Sequence, residues 1–204
     1  GGNYNVVIGD EAGTAITTGD SNVAVGTYAL DANTTASDNT AIGYASLSAN
    51  ITGTGNVASG FRALQFNTTA NNNTAVGFYA LYANTTGTRN TALGNNSLDA
   101  NTTASDNTAV GSAALGLNTT GANNVAIGSL ALDANTTASD NVAIGTLSLS
   151  SNTTGNLNVA VGGQSLKANT VGDRSVAIGY QALAAQNPSS NADMYNTAAG
   201  YQAG

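Results

Sequence analysis

The chain lacks the residues on which much of protein chemistry depends. Cysteine, histidine and tryptophan are absent from its 204 residues, proline occurs once, and charged residues make up 7%. Without histidine or cysteine there is no imidazole base, thiolate nucleophile, disulfide, zinc finger or haem ligand of the usual kind. We therefore expect that the chain is not an enzyme and that it holds no metal and no cofactor.

The few charged residues are mostly acidic. Four lysines and arginines stand against eleven aspartates and glutamates, which gives a net charge of −7. A nucleic-acid binder needs a basic patch, so this balance excludes that class. A membrane span requires about 18–20 consecutive apolar residues, and the sequence has no such run. We expect neither a nucleic-acid partner nor a membrane span in this segment.

The chain is rich in alanine, asparagine, threonine and glycine, and these residues form a repeat of seventeen residues. Glycine recurs at this interval at Gly9, Gly26, Gly43, Gly60, Gly77, Gly94, Gly111, Gly128, Gly145, Gly162 and Gly179. Leucine stands four residues after ten of these glycines, at Leu30, Leu47, Leu64, Leu81, Leu98, Leu115, Leu132, Leu149, Leu166 and Leu183. Two columns in one phase indicate a tandem repeat of the form N-[TV]-A-[VI]-G-x-x-[AS]-L-x-A-N-T-T-[GA]-x-x.

The pattern within one unit predicts short strands joined by bends. A large apolar residue precedes ten of the eleven glycines and, in all but the first, stands beside a small alanine. This is typical of a pleated segment whose large side chain points inward. The residues expected inside are Ile8, Val25, Ile42, Val76, Leu93, Val110, Ile127, Ile144, Val161 and Ile178. Leucine begins a second inward set, and turn-forming residues follow it. Each repeat therefore has two or three short strands and no helix.

A unit of this size cannot bury a core alone, so we expect the units to stack. One coil per repeat, with about 4.8 Å between coils, gives an all-β parallel β-solenoid of about twelve coils, roughly 55–60 Å long. Identical residues then lie above one another, and an asparagine column can hydrogen-bond along its own ladder. This column is Asn33, Asn50, Asn67, Asn84, Asn101, Asn118, Asn135, Asn152 and Asn169, and a similar threonine file begins at Thr34.

Two further expectations follow from stacking. The glycine column needs either a positive φ or close backbone approach, because both exclude a Cβ. Each coil also has few large side chains to bury, and contact between the alanine and glycine faces of neighbouring chains would remove more apolar area from water. We therefore expect a side-by-side homo-oligomer rather than a single rod.

The repeated motif resembles that of a known family. Asn124-Val-Ala-Ile-Gly128, Ser175-Val-Ala-Ile-Gly179 and Asn107-Thr-Ala-Val-Gly111 resemble the N-S-V-A-I-G repeat in the YadA-like head domains of trimeric autotransporter adhesins. The longer form, Asn73 to Gly87, is similar to repeats in phage tail fibres. The resemblance covers essentially the whole chain, and it implies a homotrimer of left-handed parallel β-rolls that acts as an adhesive or spacer shaft.

The array is expected to run through residues 1–204 as a single unit that is uncapped at both ends. Uncapped solenoid ends expose strand edges and invite end-to-end addition. We expect a window of a longer fibre, since the chain starts with glycine rather than methionine; units that join head to tail are the alternative. An irregular loop at 186–193, which contains Pro188, lengthens the last interval to twenty-one residues.

The acidic residues form two sparse columns, Asp31, Asp99 and Asp133 in one and Asp38, Asp106 and Asp140 in the other. Like charges are never on adjacent coils of a column, which favours a solvated face. Calcium bound by the segment D-A-N-T-T-A-S-D is the alternative. Arg89 lies one coil below Asp106 and is expected to form a surface ion pair with it.

Aromatic residues interrupt the monotony of the repeat. Tyr44, Phe61 and Phe78 follow the glycine on three consecutive coils, with Arg62, Phe66, Tyr79 and Tyr82 nearby. Such a strip suits a carbohydrate or protein contact, or stacks to stiffen the shaft. The segments Asn33-Thr-Thr35 and Asn67-Thr-Thr69, with their copies, also match the N-glycosylation pattern, although a ladder asparagine satisfies the same pattern.

These features predict a structural shaft of an extracellular fibre, on a virion tail or a bacterial cell surface, with a host receptor bound through other regions. A self-assembling extracellular filament is a second hypothesis. An ice-binding solenoid is a third, because Asn101-Thr102-Thr103 and its copies present a polar array, although only one of two adjacent threonines can face outward.

Overall fold

The computed structural model describes residues 2–204 and contains one short strand per repeat. The twelve strands are Val6–Ile8 (β1), Val23–Val25 (β2), Thr40–Ile42 (β3), Val57–Ser59 (β4), Thr74–Val76 (β5), Thr91–Leu93 (β6), Thr108–Val110 (β7), Val125–Ile127 (β8), Val142–Ile144 (β9), Val159–Val161 (β10), Val176–Ile178 (β11) and Thr197–Ala199 (β12). They form one parallel sheet in sequence order. The all-β parallel β-solenoid is confirmed, with about eleven turns and no helix among the described residues.

The register of the sheet follows the repeat. Ala24 of β2 pairs with Ala41 of β3, seventeen residues later, and this offset holds through β11. We number the coils from the residue that precedes each strand, so that coil 1 begins at Asn5 and coil 2 at Asn22. Eleven steps of about 4.8 Å then separate β1 from β12, which gives a rod about 53 Å long.

The interior of each coil is narrow and holds few side chains. The central alanine of each strand from β2 to β11 is buried, and one leucine per coil lies opposite. The leucines from Leu30 to Leu166 have no exposed surface, whereas Leu183 is partly buried against the same cluster. Two further small residues and two asparagines complete the buried set of a typical coil, as Ala29, Ala36, Asn22 and Asn33 do on coil 2.

The large apolar residues before the glycines do not point inward, so the expectation for that column is wrong. The exposed fraction of the side chains is 42% for Ile42, 46% for Leu93 and 48% for Ile178. Alternation along a three-residue strand places either the middle or the two outer residues inside. Because the space beneath the leucine admits only a small side chain, the alanine turns in and its larger neighbours turn out.

The expectation of two or three strands per repeat is also wrong, since each coil has one. The rest of the coil consists of turns, in which three positions besides the column glycine adopt left-handed backbone angles, as Tyr28, Leu30 and Asp38 do on coil 2. The leucines of the core column have φ between 48° and 54°, a region that bulky residues rarely occupy. These turns still bond to their neighbours: the Leu30 N–H donates to Ser46 O at 3.1 Å, and the Tyr28 N–H donates to Asp10 O at 3.0 Å.

The glycine column satisfies both requirements that were expected of it. Its φ angles lie between 125° and 141° from Gly9 to Gly179. A Cβ on Gly111 would lie 2.7 Å from the backbone C and O of Gly128 on the next coil. Any other residue would therefore be strained and would collide with the coil above.

The loop at 187–193 leaves the stack and returns to it. The Asp173 N–H donates to Ala192 O at 2.9 Å, and the Met194 N–H donates to Asp173 O at 3.1 Å. The side chains of Arg174 and Asp193 form an ion pair beside these bonds. The four additional residues are thus accommodated at one corner, and β12 pairs with β11 in the common register.

Candidate functional site

The expected asparagine ladder is present inside the rod. Each Nδ2 donates to the Oδ1 of the asparagine one coil earlier, from Asn50 to Asn33 at 3.1 Å through to Asn169 and Asn152 at 3.4 Å. All these side chains are buried. A buried carboxamide that is fully bonded avoids the cost of desolvation without a partner. We call this column the trailing ladder.

A second buried asparagine column, the leading ladder, begins coils 2 to 10 and was missed in the sequence. Its members are Asn22, Asn39, Asn56, Asn73, Asn90, Asn107, Asn124, Asn141 and Asn158. Each Oδ1 accepts from the backbone N–H of the next coil, at 3.0 Å from Asn39 to Asn22. The signal was the asparagine that opens the repeat motif, which resembles a residue preceding a strand rather than one inside a core.

The two ladders share a common acceptor on each coil. Asn39 Nδ2 and Asn50 Nδ2 both donate to the carbonyl oxygen of Gly53, each at 2.9 Å. Both lone pairs of this buried carbonyl are therefore used. The same arrangement recurs at Ala36 and Ala104, so that the polar interior of the rod is tied together at every level.

The position of the trailing ladder answers the question of glycosylation at the repeated Asn-Thr-Thr segments. The nitrogen that would carry a glycan is Nδ2 of Asn33, Asn67 or one of their copies. In each case this nitrogen lies inside the coil and already donates a hydrogen bond to a neighbouring residue. The folded chain therefore offers no glycan acceptor in this column.

Two rows of threonine run along one corner. The hydroxyl of the first row is fixed by the backbone, as where Thr102 Oγ1 donates to Thr119 O at 3.2 Å. Thr102 is half-buried, whereas Thr103 in the second row is exposed. One threonine of each pair thus faces solvent fully, and the other presents mainly its methyl group and an acceptor.

The outer face of the sheet is a regular surface that runs along the whole stack of strands. It consists of the first and third residues of each strand, which are valine, threonine, isoleucine, leucine, serine or alanine on all twelve strands. No charged side chain interrupts it. Its members include Val57, Ile127 and Ile144, each exposed by more than a third. Exposed apolar residues in a continuous row make this face a candidate contact surface.

A column of aromatic rings lies beside this face. Tyr44 and Phe61 are stacked with centroids 5.3 Å apart, and Phe61 and Phe78 with centroids 5.2 Å apart, both nearly parallel. Tyr28 meets the edge of the stack at one end, and Tyr79 contacts Phe61 and Phe78 edge-on. The structure therefore unites the three aromatic residues that the sequence singled out. Both faces of Phe61 are covered by its two neighbours, so that mainly the edge of this ring reaches the solvent.

Arg62 belongs to the same cluster. Its guanidinium carbon lies 5.2 Å from the centre of the Phe61 ring, in a cation–π contact, and Nη1 is 3.4 Å from the Tyr79 hydroxyl. Two other arginines are paired with carboxylates, Arg89 with Asp106 through two hydrogen bonds and Arg174 with Asp193. The hydrogen bonds from Arg89 lower the pKa of Asp106.

The acidic column of Asp31, Asp99 and Asp133 is partly removed from solvent. Burial raises the pKa of the carboxyl groups of Asp31, Asp99 and Asp133 above their ordinary value. Oδ1 of Asp31 and Oδ1 of Asp133 are buried without a hydrogen-bond partner. Within residues 2–204, however, no three acidic side chains come together as a cation cage, so that the calcium hypothesis gains no support from the geometry of this segment.

Over the described part of the chain, the surface has no pocket. Residues 2–204 also contain no helix of the length and hydropathy that crossing a membrane requires. Comparison with family models, with curated proteins and with solved structures found no match to the chain. Its class, a β-solenoid repeat protein, is therefore defined by the fold itself.

Proposed function

We propose that the chain forms the shaft of an extracellular fibre, either a phage tail fibre or a bacterial surface adhesin. The shaft spaces and presents a receptor-binding tip that belongs to another region. Copies pack side by side along their length, and the resemblance to adhesin heads favours three copies. The role requires no catalytic group and no cofactor.

The outer face of the sheet is the observation that supports this proposal most strongly. With the glycine and the residue after it, the face is five residues wide, about 16 Å at 3.3 Å per residue, and about 53 Å long. Such a strip has an area of about 850 Å². A stable interface buries about 800 Å² on each partner, so that one strip suffices for association between copies.

The rod is also suited to a mechanical role. Hydrogen bonds of the sheet, of the turns and of both asparagine ladders run between successive coils along the axis. A load along the shaft is then shared by all the bonds between two coils. Side-by-side copies would add stiffness because each coil is only one strand and a few turns wide.

Ice binding is a second candidate, favoured by the exposed row that contains Thr103. Its neighbours in the first row have their hydroxyls bonded to the backbone, which holds the corner rigid. A thermal-hysteresis measurement separates the two functions, because a shaft has no activity at micromolar protein. A self-assembling filament, in contrast, would appear in electron micrographs as fibres much longer than about 53 Å.

The shaft proposal is tested by placing charge on the outer face. Ile127→Lys and Ile144→Lys together should convert a multi-chain assembly into single chains of 20.0 kDa, because buried lysines in an interface lack partners. The matched control is Asn123→Arg with Leu157→Arg. It adds the same charge at a position where Arg89 and Arg174 already stand, and it should leave the assembly intact.

Sedimentation equilibrium gives the mass of each form, and circular dichroism reports whether the coil is retained. A wild-type mass near 20.0 kDa would contradict side-by-side packing. An unchanged assembly in the double-lysine variant would show that copies meet through a different face.

A further inference from the structure

Side-by-side packing of uniform repeats leaves the axial register undetermined. The outer face repeats at every coil with nearly the same side chains. Two copies could therefore shift by one coil, about 4.8 Å, and lose only the contacts of one coil among twelve. The same weakness of register is known for strands whose pattern lacks distinctive residues. A shaft that presents a tip needs its chains to end at one height.

The column that follows the glycines breaks this uniformity. Coils 3, 4 and 5 place Tyr44, Phe61 and Phe78 there, whereas coils 6 to 10 place small residues there, namely Asn95, Ser112, Ser129, Thr146 and Gly163. Coils 11 and 12 again have rings, Tyr180 and Tyr201, stacked with centroids 5.6 Å apart. We call these five rings the ring blocks. The two groups lie at different positions along the axis and contain three and two rings, so that they distinguish one end of the rod from the other.

The ring blocks are placed to contact a neighbouring copy. Each ring stands two residues beyond the last strand residue, at the border of the outer face, and all five are exposed. Within each block the rings stack on one another, so that only the end rings of a block have a face that no other ring covers. Apolar ring edges are well suited to meet the same edges on an identical chain at the same height.

We propose that the ring blocks set the axial register between side-by-side copies of this chain. The inference rests on the proposed packing of copies in the shaft. In register, rings meet rings at coils 3 to 5 and 11 to 12. When the copies are shifted by one coil, Phe78 of one copy lies opposite Asn95 of the other copy, and an apolar edge faces an amide.

Single-molecule energy transfer between copies tests this inference. The chain has no cysteine, so that one copy receives a donor at Thr35→Cys and the other an acceptor at Thr137→Cys, both exposed. These positions are six coils apart, about 29 Å along the axis. A shift of one coil lengthens or shortens this separation by about 4.8 Å. Wild-type pairs should show one narrow transfer peak.

The variant replaces Tyr44, Phe61, Phe78, Tyr180 and Tyr201 with serine, which Ser112 and Ser129 show to fit this column. It should still associate, but with several transfer peaks in place of one. The control is Phe66→Ala, which removes an exposed ring outside the column at a position that Ala49 and Ala83 hold on neighbouring coils. It should keep the single peak.

Each other result overturns the inference in a distinct way. A single peak in the serine variant means that other residues set the register, and several peaks in the wild type mean that no register exists. If only the serine variant fails to associate, the rings are needed for association itself and do not act on the register. If no wild-type particle contains both dyes, the side-by-side packing itself is wrong, which sedimentation shows independently.

Discussion

At the residue scale, the rod depends on two kinds of position, each of which accepts only one type of residue. The glycines combine a φ near 130° with a close neighbour, since a Cβ on any of them would lie less than 3 Å from the backbone of the next coil. The ladder asparagines use a carboxamide both to donate and to accept within the interior. Among the other side chains only glutamine carries the same carboxamide group, and glutamine is one methylene longer. These two residue types therefore repeat without substitution over most coils.

Gly111→Val tests the first of these positions. The substitution should lower the free energy of unfolding by about 3 kcal/mol or more, because it adds backbone strain and a collision with Gly128. Asp106→Ala, five residues earlier and on the surface, should leave the melting temperature nearly unchanged, since exposed ion pairs contribute little. Thermal unfolding followed by circular dichroism compares the two variants. Equal losses would contradict the close approach of the glycine column.

Asp133 provides a prediction about pH. Burial raises the pKa of its carboxyl group above the ordinary value of 3.8, so that the folded chain holds a proton more tightly than the unfolded chain. Stability is then lost as the pH rises from the ordinary pKa through the raised one. Asp133→Ser should raise the free energy of unfolding at pH 7 and should give no such gain below pH 3.8.

Ser48 and Ser150 hold the same position as Asp133 on other coils, so that serine fits there without rearrangement. Denaturant titrations at the two pH values measure the difference. An equal gain for Asp133→Ser at both pH values would mean that the effect does not come from ionisation.

At the scale of the element, the sequence predicts the repeat and the sheet but not the orientation of the strand. Alternation around Ala24 and Val25 is the same whichever of the two points inward, and the usual preference for burying the larger residue favours the wrong choice. The left-handed turns could not be predicted from the sequence either, since leucine rarely adopts the φ near 50° that Leu98 has. Neighbouring coils impose that angle through their hydrogen bonds, which a single repeat does not show.

Two deletions test whether the coil of seventeen residues is the structural unit of the rod. Removal of residues 107–123 deletes one coil and joins Asp106 to Asn124 in phase, so that β6 can pair with β8. This variant should fold and unfold cooperatively. Removal of residues 107–115 deletes half a coil and leaves residues 116–123 as an insertion between Asp106 and Asn124. One junction then loses its ladder and leucine contacts, and circular dichroism should show a lower melting temperature than for the first variant. Similar behaviour of both variants would contradict the seventeen-residue coil.

At the scale of the whole molecule, the candidate surfaces were only partly visible in the sequence. The interval of seventeen residues placed Tyr44, Phe61 and Phe78 in one column, and the structure stacks them. The outer face was not foreseen, because the residues that form it, such as Ile127 and Ile144, were expected in the core. With these side chains outside, the rod has an apolar strip where lateral contact between alanine and glycine faces was expected.

X-ray diffraction from oriented samples of the purified protein tests the stacked coil most directly. Stacked coils predict a strong reflection at about 4.8 Å along the rod axis, which is the spacing between hydrogen-bonded strands. Strands stacked perpendicular to the axis, one per seventeen residues, produce it whatever the number of copies in the shaft. A pattern in which this reflection is absent, or lies at right angles to the axis, would contradict the stacked coil.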